Sequence, residues 1–233
     1  DITKDAQNGF LEYTYKKETF IRSYQPKPEV KQSEIEVAAE MINQAKKPLA
    51  LIGQGVILGG AEKELLAFIE KSGIPTASTI LGLSAIPSDH PLNVGLLGMH
   101  GNIGPNLKTN ECDVLIAIGM RFDDRVTGEL KTYAKQAKII HFDIDKSEIN
   151  KNVPVTARVL GDVKESLPKV TELIKATNHP DWLAEFKTCY DREYNSVIKN
   201  ELYPESGLLK MGEVINKVTE KTGNEAVLVT DVG

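Results

Sequence analysis

Val114-Leu115-Ile116-Ala117-Ile118 runs without a break into Gly119-Met120-Arg121-Phe122-Asp123-Asp124-Arg125-Val126-Thr127-Gly128. Five consecutive apolar residues suit a strand buried on both faces, and a loop dense in opposite charges directly after such a strand is where an α/β protein places a ligand. The same pattern repeats outward. Pro48-Leu49-Ala50-Leu51-Ile52-Gly53 reads as a second buried strand, with further strands expected at residues 74 to 79, 138 to 143 and, shorter, around Arg158-Val159-Leu160. Between them lies helical spacing: Ile35, Val37, Ala38, Met41 and Ile42 recur within residues 33 to 45, with Ser33 placed to cap and Glu36 three residues on. Helices are also expected over residues 61 to 72, 104 to 112 and 162 to 177. Strands alternating with helices predict an α/β fold, a doubly wound parallel sheet with helices on both faces.

This unit fills residues 32 to 177. Residues 1 to 31 have little periodicity and close on Gln25-Pro26-Lys27-Pro28-Glu29, whose prolines favour extended backbone and suit a linker. Residues 178 to 206 read as a linker helix with an aromatic stripe of Trp182, Phe186, Tyr190 and Tyr194, broken at Leu202-Tyr203-Pro204. A helix over 212 to 222 and a strand over 226 to 232 would open a further domain within residues 207 to 233. The abrupt start at Asp1-Ile2-Thr3-Lys4 and end at Val229-Thr230-Asp231-Val232-Gly233 suggest a piece of a longer protein.

Composition narrows the function classes. The 233 residues are 41% hydrophobic and 26% charged, an ordinary globular balance, and a net charge of -5 with dispersed Lys and Arg argues against nucleic acid as the partner. No apolar run approaches the roughly 20 residues that span a bilayer, and no signal-peptide pattern opens the chain. Cys112 and Cys189 lie far apart without metal-ligand spacing, so a reducing, cytoplasmic setting is expected and no metal site.

Several loops carry ligand chemistry. Gly53-Gln54-Gly55-Val56-Ile57-Leu58-Gly59-Gly60 lies between a strand and a helix, where free amides suit an anion, although its spacing departs from the G-x-G-x-x-G dinucleotide fingerprint. Leu97-Gly98-Met99-His100-Gly101-Asn102 would let backbone approach a flat ligand. Arg121 offers a planar fork to phosphate, while Asp123 and Asp124 can accept from ligand hydroxyls or from Arg125. Asp143 and Asp145 end a strand where ribose hydroxyls are commonly held, and Asp162 stands at a helix start, where it would also serve as a cap. Together these loops predict a nucleotide-sized cleft. A nicotinamide-dependent oxidoreductase and a non-enzymatic module packing between domains are the alternatives.

Leu97-Gly98-Met99-His100-Gly101, the octapeptide from Arg121 to Gly128 and His141-Phe142-Asp143-Ile144-Asp145 closely resemble the central domain of the biosynthetic acetolactate synthase large-subunit family. The likeness covers essentially the whole chain, its start resembling the end of that family's first domain and its last residues the start of the third. The octapeptide is the most specific element, since thiamine-diphosphate relatives without FAD generally lack it. The resemblance implies thiamine diphosphate, Mg and FAD as cofactors of the parent. FAD would lie across this domain against Gly53, Gln54, Gly55, Thr79, Ile80, Leu97, Gly98, Met99, His100, Gly119, Met120, Arg121, Phe122, Asp123, Asp143, Ile144, Asp162 and Val163. Lys4, Asp124 and Arg125 match positions along the substrate channel. Two positions depart from the family: Gln54 replaces the middle of three consecutive glycines and could crowd the cofactor, and Thr3 replaces a proline.

The implied reaction condenses two pyruvates, or pyruvate and 2-oxobutyrate, in branched-chain amino-acid biosynthesis. No catalytic residue is expected here, because the activating glutamate belongs to the family's first domain and the Gly-Asp-Gly motif that holds Mg to its third. The chain alone is therefore expected to be inactive. The parent would be a homodimer or homotetramer, and a small regulatory subunit is a candidate partner.

Overall fold

The computed structural model describes residues 7–10, 12–14 and 26–229. Six strands form one parallel sheet: β1 (Pro48–Ile52), β2 (Thr76–Ser78), β3 (Asn93–Leu96), β4 (Val114–Ile118), β5 (Lys138–Asp143) and β6 (Ala157–Leu160). Their order is β3-β2-β1-β4-β5-β6. The chain therefore winds outward from β1, crosses back to pair Pro48 with Val114 through Ile52 with Ile118, and winds out the other way. A crevice opens where the winding reverses, above the ends of β1 and β4.

Strand residues alternate between two cores. Ala50, Ile52, Ile116, Ile118 and Phe142 point to one face, Leu49, Leu51, Leu115 and Ala117 to the other, the two-residue period of a pleated strand. The first face is covered by α1 (Gln32–Gln44), α3 (Glu62–Ser72) and α6 (Val163–Leu173). Each buries one stripe at helical spacing: Ile35, Ala38, Ala39 and Ile42; Leu65, Phe68, Ile69 and Ser72; Val163, Ser166, Leu167 and Val170. The second face is covered by α4 (Ile103–Thr109) and α7 (Pro180–Glu193). Short helices α2 (Gln54–Leu58) and α5 (Asp124–Thr127) leave the ends of β1 and β4. A π turn, Tyr194–Ile198, leads from α7 into α8 (Lys199–Leu202), and α9 (Met211–Lys221) follows.

The structure corrects the local reading in four places. Helix α1 starts before Ser33, with Lys31 at the N-cap position and no side-chain cap bond. A tertiary contact sets this start: Glu34 accepts from Leu160 N at 3.0 Å and from Arg158 Nε at 2.9 Å, tying the first turn to β6. Strand β3 was not foreseen, because Asn-Val-Gly-Leu at the sheet edge is half-buried and has no apolar alternation. The aromatic stripe of residues 182 to 194 is not one packed face. A four-residue period turns about 40° too far per step on a helix of 3.6 residues per turn, so Trp182 and Phe186 are buried while Tyr190 is 52% exposed. The inward-facing line continues instead through the half-buried Cys189, beside Gly104, and Glu193, on the start of α4. Finally, residues 226–229 form no strand, and the rest of the expected strand lies outside the described residues.

Helix α7 is bound into the second core. Trp182 meets Phe186 edge to face at 5.0 Å and donates from its indole to Pro48 O at 2.8 Å. Lys47 and Lys108 lie over the same ring at 4.9 and 5.4 Å, and both donate to Glu185, at 2.8 and 2.7 Å. In α9 the apolar residues Met211, Val214, Ile215 and Val218 share one face and are all exposed.

Candidate functional site

Every described residue that the sequence assigns to a cofactor lies at the carboxyl end of a strand or in the loop or first helical turn behind it. The loops root on one another in a continuous row. Leu97 N donates to Ser78 O at 3.0 Å, Thr79 N to Ile52 O at 2.8 Å, Gly53 N to Ile118 O at 2.9 Å, Gly119 N to Phe142 O at 2.9 Å, and Gly161 N to Asp143 O at 3.0 Å. At about 4.8 Å per strand, the row from β3 to β6 is about 24 Å long, which suits an extended dinucleotide better than a mononucleotide.

The floor at the reversal point is bare backbone. Gly55 N donates to Gly119 O at 2.8 Å, and a Cβ added at Gly53 would strike Gly119 O and Met120. Gly119 holds φ +60, the left-handed region that favours glycine. Gln54 is exposed, and the contacts of Gly53 and Gly55 with Gly119 form on either side of it.

The assigned side chains divide by environment. Leu97, Met120, Phe122 and Val163 are buried in the cores and can offer a ligand only their backbone. Phe122 packs edge to face on His141 at 5.1 Å and on Tyr133 at 6.1 Å. Thr79 Oγ1 accepts from Gly82 N at 3.1 Å. On the β2 and β3 side, Ile80 and Met99 are 66% and 61% exposed, and His100 is exposed beside them. In the middle, Arg121 reaches out with its side chain 68% exposed and only Nε engaged, on Asp123 at 3.1 Å. On the β5 and β6 side stand the carboxylates. Asp143 Oδ1 accepts from Asp145 N at 2.8 Å, and Ile144 is exposed next to it. Hydrogen bonds from Ser147 N and Oγ hold the Asp145 carboxyl below its ordinary range. Asp162 caps α6 through Lys164 N at 3.0 Å and pairs with Lys27 at 3.3 Å, so both its oxygens are occupied.

Asp124 and Arg125 are exposed on α5 and meet the loop after β3: Met99 N donates to Arg125 O at 2.8 Å. With Leu97, Gly98, Met99 and Asn106 they line a cavity of about 380 Å³, so the residues expected along the channel and those expected at the cofactor meet there. Lys4 lies outside the described residues. A larger cavity of about 780 Å³, between Lys27, Lys31, Lys146 and Arg158 at the β6 edge, contains none of the assigned residues.

Sequence reading missed three supports of this site. His141 is fully buried, and its Nε2 donates to Met120 O at 2.8 Å, fixing the loop after β4. Asn102, at the N-cap of α4, bonds the last peptide of β3, and Asn106, one turn on, bonds the loop behind it. The signal for the last two was their four-residue spacing directly behind a glycine-rich loop. Among the described residues, no group of three or more His, Cys, Asp or Glu could hold a metal ion, and no helix is long and apolar enough to cross a membrane.

Residues 35–170 match the family of thiamine pyrophosphate enzymes, central domain. The chain is 36% identical over 241 residues to a probable acetolactate synthase large subunit of Methanocaldococcus jannaschii, covering all of this chain and 41% of the relative. It is 36% identical to the acetolactate synthase large subunit of Corynebacterium glutamicum, covering all of this chain and 37% of the relative. For the acetolactate synthase large subunit of Haemophilus influenzae the identity is 33%, covering all of this chain and 41% of the relative. The chain thus spans about two fifths of the length of these relatives.

Proposed function

Because the chain belongs to the thiamine pyrophosphate enzyme central-domain family, we propose that it is the FAD-holding central domain of an acetolactate synthase large subunit. The parent condenses two pyruvates, or pyruvate with 2-oxobutyrate, in the cytoplasm, as a homodimer or homotetramer open to a small regulatory subunit. Thiamine diphosphate, held with Mg outside this chain, supplies the carbanion chemistry of decarboxylation and condensation. This chain's residues bind and orient FAD.

The observation that carries the reading is the graded row of loops. Carboxylates at Asp143 and Asp145 suit the hydroxyls of an adenosine ribose, and the free guanidinium nitrogens of Arg121 suit a diphosphate. The exposed apolar side chains of Ile80 and Met99 suit a flat ring system at the other end. These environments would suit FAD held with its adenosine toward β5 and β6 and its ring system toward β2 and β3.

Titration of the purified chain with FAD tests the proposal, followed by flavin fluorescence and thermal unfolding with NADH as control. Saturable FAD binding is expected to stabilise the fold by about 2.7 kcal/mol at a hundredfold excess over Kd. Preferential NADH binding would replace the proposal with a nicotinamide enzyme. Binding of neither, by the chain and by its full-length parent alike, would leave a packing module. Acetolactate formation by the chain alone would overturn the assignment of catalysis to residues outside it.

A further inference from the structure

We infer that Asn106 is a positioning residue for the isoalloxazine end of the cleft, acting through the loop that presents Met99 and His100. The inference rests on the FAD reading above. Asn106 Oδ1 accepts from Gly98 N at 2.9 Å and its Nδ2 donates to Gly98 O at 2.9 Å, so one amide side chain satisfies both polar groups of one residue. Gly98 holds φ +103, and a Cβ there would lie 2.7 Å from Arg125 O. The glycine is thus clasped between α4 on one side and α5 on the other. Met99 N donates to the same Arg125 O, which fixes the next peptide and turns the Met99 side chain outward.

The clasp is itself anchored. Asn102 lies one turn before Asn106 and its Oδ1 accepts from Leu96 N at 2.9 Å. It does not cap its own helix; Glu193 of α7 does, accepting from Ile103 N at 3.2 Å and Asn102 Nδ2 at 3.3 Å. The end of β3 and the loop behind it therefore take their orientation from the first turn of α4, and α4 takes its own from α7. None of these three side chains need touch a ligand to place Met99.

Only an amide can serve at position 106, because the site requires one acceptor and one donor side by side. Asn106→Leu removes both bonds at similar volume, and Asn106→Asp sets an acceptor against Gly98 O. The test compares Kd for FAD and for ADP in the full chain, with the fluorescence and visible circular dichroism of the bound flavin. Both variants are expected to raise Kd for FAD about tenfold or more and to alter the flavin spectrum, while ADP, which lacks the ring system, binds within about twofold of the unsubstituted chain. Gln136→Leu is the control: Gln136 lies outside that cavity, and its Nε2 donates to Thr109 O at 3.1 Å and to Cys112 O at 2.9 Å, leaving the loop alone. It should lower Tm with both affinities unchanged. If Asn106→Leu does not melt cooperatively, the isosteric Asn106→Asp decides. Equal losses for FAD and ADP, or no loss for either, would show a purely structural role and overturn the inference. An unsubstituted chain that binds neither nucleotide fails the proposed function itself.

Discussion

Replacing Gly119 by alanine tests whether the crevice floor is as close as described. Gly119 holds φ +60, and an added Cβ would lie 2.9 Å from Gly55 Cα, Gly55 C and Val56 N, all backbone that cannot rotate away. Gly60 gives the matched control, with φ +59 and its nearest neighbour the flexible Lys164 Nζ at 3.6 Å. Both substitutions incur the left-handed strain of about 1–2 kcal/mol, partly offset by about 0.4–1 kcal/mol from a stiffer unfolded chain. Only Gly119→Ala adds overpacking, about 1–3 kcal/mol where the neighbours cannot yield. The expected loss is therefore about 1 kcal/mol for Gly60→Ala and about 2–4 kcal/mol for Gly119→Ala. For a chain of this size, at about 2–4 °C per kcal/mol, this separates a fall of a few degrees from one of about 5–15 °C. Thermal unfolding of the two variants side by side reads the difference. Gly119→Ala should also weaken FAD binding, since parting Gly119 from Gly55 widens the floor. Equal melting temperatures for the two variants would refute the close approach.

Other outcomes follow from the packing and the charges. Trp182→Ala should cost about 3–5 kcal/mol, and Trp182→Phe about 1–2 kcal/mol through the unpaired Pro48 carbonyl, measured by denaturant unfolding. Burial lowers the His179 pKa against the opposing pull of Asp113. Its contribution to stability is thus present above the ordinary value of 6.5 and lost as pH falls through the lowered folded value, a slope that His179→Asn should flatten. Glu185 is held low by Lys108 and then Lys47, so its contribution stands above pH 4.5 and fades as pH falls further; Glu185→Gln should melt alike to wild type only in acid. Burial pushes the Cys112 thiol up to about 12, so alkylation of the native chain should label the half-exposed Cys189 and spare Cys112.

What could be read from the chain in advance was decided by burial. Strands β1, β4 and β5 announce themselves because residues such as Leu49, Ile116 and Phe142 must be apolar on both faces of a covered sheet. Each of their loops could then be placed at a carboxyl end from sequence alone. Strand β3 stayed hidden because an edge strand with Asn93 and Gly95 is specified by its neighbour's ladder and by Asn102. Ser33 misled because Glu34 finds a distant partner in β6, which no local cap rule anticipates. In the site, residue types gave the ligand chemistry, but they could not separate Arg121, which reaches outward, from Phe122, which turns into the core. That distinction depends on the strand's last side-chain direction and on His141, a residue from a different strand.

The crossing from β1 to β4 also sets a timetable for synthesis. Strand β1 is the centre of the sheet, with Leu49, Ala50, Leu51 and Ile52 wholly enclosed, yet Pro48 must wait for Val114 before that side is paired. At ribosomal speeds of about 5–20 residues per second, a bare apolar edge stands open for seconds on every nascent chain. Such an edge is a template for any other unpaired strand. Slowed translation between β2 and β4 should therefore send chains into aggregates even when the finished fold is unaltered. The same codons placed after β6 should do no harm.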